Sequence, residues 1–248
     1  MAEHPVSGEF GHYRLWMRSD WLPASSAALV TGATGLFYGA QTLPRPDGEG
    51  AVLRHLAAEA DGVVSPAVVL LVAATALVFG LPALFALFGR RGLPGLGMVG
   101  LVLLAFGAIT MAGFAQHLLM VRPLVADASL SEGDLLRMMD QPIVSGLLLT
   151  GYGAFWAGEL CVAAALYRSG RSPNWIPTLL VLNAVTGLVV RVFALDALDV
   201  VPALCMAAGL AGAGVQANRN SQPDGVSSRD IAAQHAREHQ QAPGNLSR

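Results

Sequence analysis

The chain is dominated by long continuous runs of apolar residues, and these runs restrict its fold more than any other feature. A membrane-spanning helix needs about 20 predominantly apolar residues to cross the hydrocarbon core. Six runs reach or approach that length: Leu22–Leu43, Val63–Phe88, Leu93–Val121, Pro142–Tyr167, Trp175–Leu195 and Val200–Ala217. Within them apolar residues do not alternate with polar ones, and hydrocarbon requires backbone hydrogen bonds within the segment. The runs therefore predict an all-α, polytopic membrane protein, a bundle of six transmembrane helices.

Arginines occupy alternate connections between the runs. The arginine-rich segments contain Arg14, Arg18, Arg90, Arg91, Arg168, Arg171, Arg219, Arg229, Arg237 and Arg248. The connections Pro44–Gly62 and Arg122–Gln141 instead carry more acidic side chains than arginines. Cytoplasmic loops of membrane proteins are enriched in basic residues. The alternation therefore predicts six spans with the N and C termini both in the cytoplasm.

The same pattern divides the chain into three parts. We expect residues 1–21 to form a cytoplasmic or interfacial segment, residues 22–217 the transmembrane domain, and residues 218–248 a cytoplasmic tail. The tail is polar and rich in Gln, Ser, Pro and Gly, a composition typical of disorder. Every fixed positive charge in the chain is an arginine, which indicates a G+C-rich bacterial genome. We therefore expect a multi-pass protein of the bacterial inner membrane.

Glu159 lies deep within the fourth run, about eight residues or roughly 12 Å from its cytoplasmic end. An ionised carboxylate at that depth costs about 3 kcal/mol on insertion scales. We therefore expect Glu159 to face the bundle and bond to a partner, or to be protonated. Asn183 lies at a similar distance from the same side in the fifth run, and its amide can donate to the carboxylate. Tyr152 and Trp156 share a helix face with Glu159, which predicts an aromatic wall beside the acid.

Three roles for Glu159 are consistent with this pattern. It can form an interhelical hydrogen bond with Asn183 that fixes the packing of two spans. It can act as a catalytic general acid on a lipid or isoprenoid held in an aromatic-lined cavity, with Tyr152 and Trp156 as binding residues. It can also carry protons, together with His117, in a proton-coupled transporter.

A second polar group is predicted near the outer ends of the runs. His117 lies towards the end of the third run, Arg191 towards the end of the fifth, and Asp196 and Asp199 follow it. Snorkelling side chains and a local salt bridge would account for this group. Alternatively, His117 and Arg191 bind an anionic head group in an outward-facing vestibule or take part in proton transfer.

The sequence predicts no cofactor and no metal site. His117 is the only histidine inside a run, whereas a haem held by paired histidines needs two. His235, Glu238 and His239 match a zinc-peptidase pattern. They lie in the polar tail, however, and no acidic residue follows them as a third ligand. We therefore expect a solvated helix at that motif.

The few polar residues inside the runs favour a non-enzymatic membrane protein with an accessory role or a role in handling small solutes or lipids. The membrane enzyme and the proton-coupled transporter are the alternatives. The expected partners are the lipid bilayer and a lipid or small hydrophobic ligand, and a net charge of −2 gives no indication of nucleic-acid binding. Small residues such as Gly35, Gly39 and Ala207 allow close helix packing, within one bundle or in a homo-oligomer.

One short turn carries a family resemblance. The stretch Ala165–Pro177 contains Tyr-Arg-Ser at the end of one run and Pro-Asn-Trp at the start of the next. This turn resembles that of the DUF4386-like group of small six-helix bacterial membrane proteins, whose function is unknown, and the long outer loops are similar. The resemblance implies a six-helix membrane fold and assigns no active residues.

Overall fold

A computed structural model of the chain describes residues 9–42, 60–88, 94–126, 137, 141–193 and 198–221. These residues contain six long helices and no strand. In chain order the helices are α1 Glu9–Thr42, α2 Ala60–Leu87, α3 Pro94–Ala126, α4 Pro142–Ser169, α5 Trp175–Phe193 and α6 Val200–Ser221. The prediction of an all-helical fold is confirmed for the described residues, and each predicted run overlaps one of these helices.

Four helices contain segments that are long and apolar enough to cross a membrane. The segments are Val64–Leu87, Gly95–Leu124, Pro142–Ser169 and Val200–Ser221. The apolar part of α5, Trp175–Val190, is shorter, and α1 includes many serines, threonines and glycines.

The outer surface of the bundle is rich in large apolar side chains. Ile143 is 81% exposed and Leu149 is 76% exposed, and many valines, leucines and phenylalanines on the other helices are also exposed. Water-soluble proteins rarely present such large continuous apolar surfaces. Together with the four long apolar segments, this surface is that of a membrane protein.

The helices form a ring in which each packs against the next one along the chain, and α6 closes the ring against α1. The C-terminal ends of α2, α4 and α6 lie together. Arg171, just after α4, donates to the carbonyl of Ala86 near the end of α2, and Asn220 of α6 donates to the carbonyl of Arg171 at 3.1 Å. The contacts of α1 with α2 and of α3 with α4 are antiparallel, and short connections join the other consecutive helices, so successive helices alternate in direction. The exposed Arg168, Arg171 and Arg219 therefore share one end of the bundle.

Glycines permit the close approach of α3 and α4. A Cβ atom added to Gly158 would lie 2.8 Å from the backbone nitrogen of Leu104 and 2.9 Å from the carbonyl oxygen of Gly100. One added to Gly107 would lie 3.0 Å from the carbonyl oxygen of Gly151. In each helix the two glycines are seven residues apart, the spacing of left-handed helix packing. The backbones of α3 and α4 can therefore touch over two turns of each helix.

The predicted small-residue positions also lie at helix contacts. A Cβ on Gly35 would meet the Ala73 side chain at 2.7 Å, and one on Gly39 would meet Leu70 at 2.6 Å. Ala207 in α6 is buried. These residues pack helices within one chain, and the homo-oligomer stays a prediction.

A serine of α1 forms hydrogen bonds with the backbone of α2 next to a proline. Pro82 lies inside α2 and has no N–H to donate, so the helical ladder is interrupted there. The Ser25 hydroxyl accepts from the Ala83 backbone N–H at 3.0 Å and reaches the carbonyl oxygens of Phe79 and Gly80 at 3.1 and 3.2 Å. Side chains of neighbouring helices commonly satisfy backbone groups that proline frees in apolar surroundings.

We therefore expect Ser25→Ala to lower the free energy of unfolding by about 1–3 kcal/mol, because it leaves the buried Ala83 N–H without its acceptor. Ser26 provides a matched control, since it is equally buried and its hydroxyl has no partner among the described residues. Ser26→Ala should change stability by less than about 0.5 kcal/mol. Unfolding of both variants in detergent by heat or by sodium dodecyl sulfate measures the difference. Equal effects would contradict the role given to Ser25.

Several predicted features lie outside the described residues. They are the turn containing Arg90 and Arg91, Asp196, the tail beyond Ser221 and the motif from His235 to His239. The helical backbone at Arg191 is described, but its side chain is not.

Candidate functional site

The centre of the candidate site is a hydrogen bond between two antiparallel helices. Nδ2 of Asn183 in α5 donates to Oε2 of Glu159 in α4. Glu159 is completely buried and Asn183 is 4% exposed. The other carboxyl oxygen, Oε1, has no hydrogen-bond partner among the described residues. The interhelical bond predicted from the depths of the two residues is therefore present.

Two further contacts fix the alignment of α4 and α5. On the side nearer the helix middle, the Trp156 indole covers Gly187, where a Cβ would lie 3.3 Å from the ring. At the other end, the hydroxyl oxygens of Tyr167 and Thr178 are 2.6 Å apart. Thr178 already donates to the Asn174 carbonyl at 2.7 Å, so Tyr167 is the donor in that pair. These contacts hold Glu159 opposite Asn183.

A cavity of about 230 Å³ adjoins this pair, and residues of all six helices line it. Its aromatic wall consists of Phe114, Tyr152, Phe155 and Trp156. Its polar lining residues are Asn183, Gln41 and Asp199. Gln41 near the end of α1 and Asp199 just before α6 lie at the end of the bundle opposite Arg171. The cavity therefore extends from the middle of the bundle towards the end that carries these two residues.

Asn183 links the cavity to the buried acid. Asn183 lines the cavity and its side chain bonds to Glu159, whereas Glu159 itself is not among the lining residues. A molecule in the cavity would meet the Asn183 amide and not the carboxyl group. The arrangement suits binding and orientation better than direct proton transfer from Glu159.

The structure brings together only some of the predicted site residues. Tyr152, Trp156 and Asn183 line one cavity, as the predicted aromatic wall required. His117 is half-buried in α3 but is not one of the lining residues. The functional roles predicted for these lining residues, for His117 and for Arg191 stay predictions.

Two aromatic lining residues were not predicted from the sequence. Phe155 is buried next to Trp156 in α4, and Phe114 lies one turn before His117 in α3. Each occurs within a continuous apolar run, where every large side chain is equally suited to packing or to lipid. No signal in the sequence distinguishes them, because the cavity arises from how six helices pack.

The described residues contain no group of three or more His, Cys, Asp or Glu side chains placed to hold a metal ion. The chain matches no protein-family model, no curated protein and no solved structure. The resemblance of the turn at Ala165–Pro177 stays a prediction. The function proposed below therefore depends on the bundle, the cavity and the Glu159–Asn183 pair.

Proposed function

We propose that this chain is a multi-pass protein of the bacterial inner membrane whose cavity binds a small, mainly apolar molecule, such as a lipid or an amphiphilic solute. In this proposal all six helices span the membrane and both termini are cytoplasmic. The single observation that carries the binding role is the aromatic-lined cavity of about 230 Å³ with Asn183 in its wall.

The ring of helices supports the proposed topology. α1 and α5 pack between helices that are apolar and long enough to span a membrane, so both lie alongside membrane-spanning neighbours. Exposed arginines gather at the end of the bundle where α2, α4 and α6 terminate. By the preference of arginine for the cytoplasmic side, that end faces the cytoplasm and the cavity extends towards the outside.

The size and lining of the cavity support ligand binding. An engineered apolar cavity of roughly 150 Å³ is large enough to hold benzene, and this one is larger. Ligand sites are typically apolar and aromatic, with a few polar groups that fix orientation. Here the aromatic wall would hold an apolar body, and Asn183 would contact a polar group at its inner end.

The geometry favours this role over the enzyme and transporter alternatives. A general acid must come within hydrogen-bonding reach of the group it protonates, but Asn183 lies between Glu159 and the cavity. The transporter alternative pairs Glu159 with His117, which does not line the cavity. A non-enzymatic binding or carrier function needs neither contact.

Partly filling the cavity should weaken binding without unfolding the protein. Ala203 in α6 is half-buried in the cavity wall, so Ala203→Leu places a larger side chain inside it. We expect at least about a tenfold loss of affinity for a small probe such as 1-hexanol, because the added methyl groups occupy its volume. Titration by ligand-observed NMR in lipid nanodiscs measures it.

Ala208 is the matched control, because it is exposed on the same helix and does not line the cavity. Ala208→Leu should bind 1-hexanol as the unmodified protein does. Binding that is equal in both variants, or absent from the unmodified protein, would overturn the proposed ligand site.

A further inference from the structure

We infer that Glu159 is a positioning residue that orients the Asn183 amide, and that the cavity therefore selects ligands whose polar group donates a hydrogen bond. This inference rests on the proposed function and names the class of ligand for the same site. It assigns the buried acid a role in recognition without direct contact with the ligand.

The bond to Glu159 sets the orientation of the Asn183 amide. A side-chain amide has an oxygen that accepts and a nitrogen that donates, at opposite edges of one plane. Glu159 accepts from Nδ2, so the nitrogen edge faces the acid behind the cavity wall. The carbonyl oxygen Oδ1 then lies on the opposite edge of the amide, and Asn183 is one of the residues that line the cavity.

A ligand that fills the cavity excludes water from the Asn183 carbonyl oxygen. An acceptor that loses contact with water and gains no donor is destabilised. A hydroxyl or amine group on the ligand can donate to Oδ1, whereas an ether or ketone cannot. Because the bond to Glu159 opposes rotation of the amide, Asn183 cannot readily exchange its oxygen for its nitrogen to suit an acceptor-only ligand.

Glu159 itself is separated from any ligand in the cavity. The acid is completely buried and does not line the cavity, so a ligand need not contact it. Replacing it by glutamine keeps a carbonyl oxygen that can accept from Asn183 Nδ2, whereas leucine removes the acceptor. A role in proton transfer would instead be lost in both variants.

Two isomeric probes test the inference: 1-hexanol, which donates a hydrogen bond, and 1-methoxypentane, which only accepts. Ligand-observed NMR titrations in nanodiscs give the affinity for each probe. For each protein, the ratio of the affinity for 1-hexanol to that for 1-methoxypentane is then divided by the same ratio measured in the Asn183→Leu variant. This division removes differences in how the two probes partition into lipid. We expect the unmodified protein to prefer 1-hexanol by about fivefold to tenfold, the effect of one hydrogen bond.

Glu159→Gln should keep most of this preference, and Glu159→Leu should reduce it to less than about twofold, since the freed amide can rotate. Equal affinities for the two isomers in the unmodified protein would overturn the inference alone, even if Glu159→Leu fails to fold. Loss of the preference for 1-hexanol in Glu159→Gln would also overturn the inference alone. Failure of both probes to bind would overturn the proposed function, and with it the inference.

Discussion

Leucine in place of Gly158 is expected to force α3 and α4 apart and to lower the free energy of unfolding by about 3 kcal/mol or more, beyond the usual cost of overpacking. The added side chain would collide with backbone atoms, at 2.8 Å from the Leu104 nitrogen and 2.9 Å from the Gly100 oxygen. Backbone atoms cannot move aside as a flexible side chain can. Resistance to unfolding by sodium dodecyl sulfate and the monodisperse fraction in detergent measure the loss.

Gly153→Leu is the control for this substitution. Gly153 lies in the same helix, is exposed, and has no atoms within 4 Å of an added Cβ. Since glycine costs about 1 kcal/mol relative to good helix formers in a helix interior, this variant should be as stable as the original or slightly more so. If Gly158→Leu were equally well tolerated, the close packing of α3 and α4 would be wrong.

The second large effect is expected from Asn183→Leu, which removes the hydrogen-bond donor of a completely buried acid. With Oε1 already without a partner in the described part of the chain, neither carboxyl oxygen of Glu159 would then be satisfied. We expect a loss of about 2–4 kcal/mol, in keeping with the cost of a carboxyl group in a span. The same unfolding assay measures it.

The double variant Glu159→Leu with Asn183→Leu separates this cause from a general packing defect. Removing both partners of a buried polar pair is often nearly neutral, while removing one is costly. The double variant should therefore regain most of the stability lost by Asn183→Leu. A double variant at least as unstable as the single one would show that the leucine at position 183 disturbs packing by itself.

The helices could be predicted from the sequence because hydrocarbon favours continuous apolar runs and proline or glycine often marks where they stop. Pro142 begins α4 as expected, and Gly170, in the left-handed conformation with φ 63°, ends it. α1 extends back to Glu9, beyond the start of its apolar run at Leu22. Apolarity locates the part of a helix that suits lipid, and a helix can continue beyond it.

The Glu159–Asn183 bond could be predicted because two polar residues at equal depth in joined antiparallel helices have few other partners. The rest of the cavity lining could not be predicted, since it combines residues from six helices that differ little in character from their lipid-facing neighbours. The close contact of α3 with α4 does have a recognisable pattern in the sequence. Glycines seven residues apart occur in both helices, at Gly100 and Gly107 and at Gly151 and Gly158.

Substituted-cysteine labelling in intact cells tests the six-span topology most directly. With Cys161 and Cys205 replaced by alanine, single cysteines are introduced at the exposed positions Thr42, Arg171, Leu198 and Arg219. Positions 171 and 198 test the crossing of α5, positions 198 and 219 test that of α6, and position 42 tests the side on which α1 ends. A maleimide that cannot cross membranes should label cysteines at positions 42 and 198 from outside, and those at 171 and 219 only after permeabilisation. Labelling of positions 171 and 198 from the same side would contradict six spans, because α5 would then not cross.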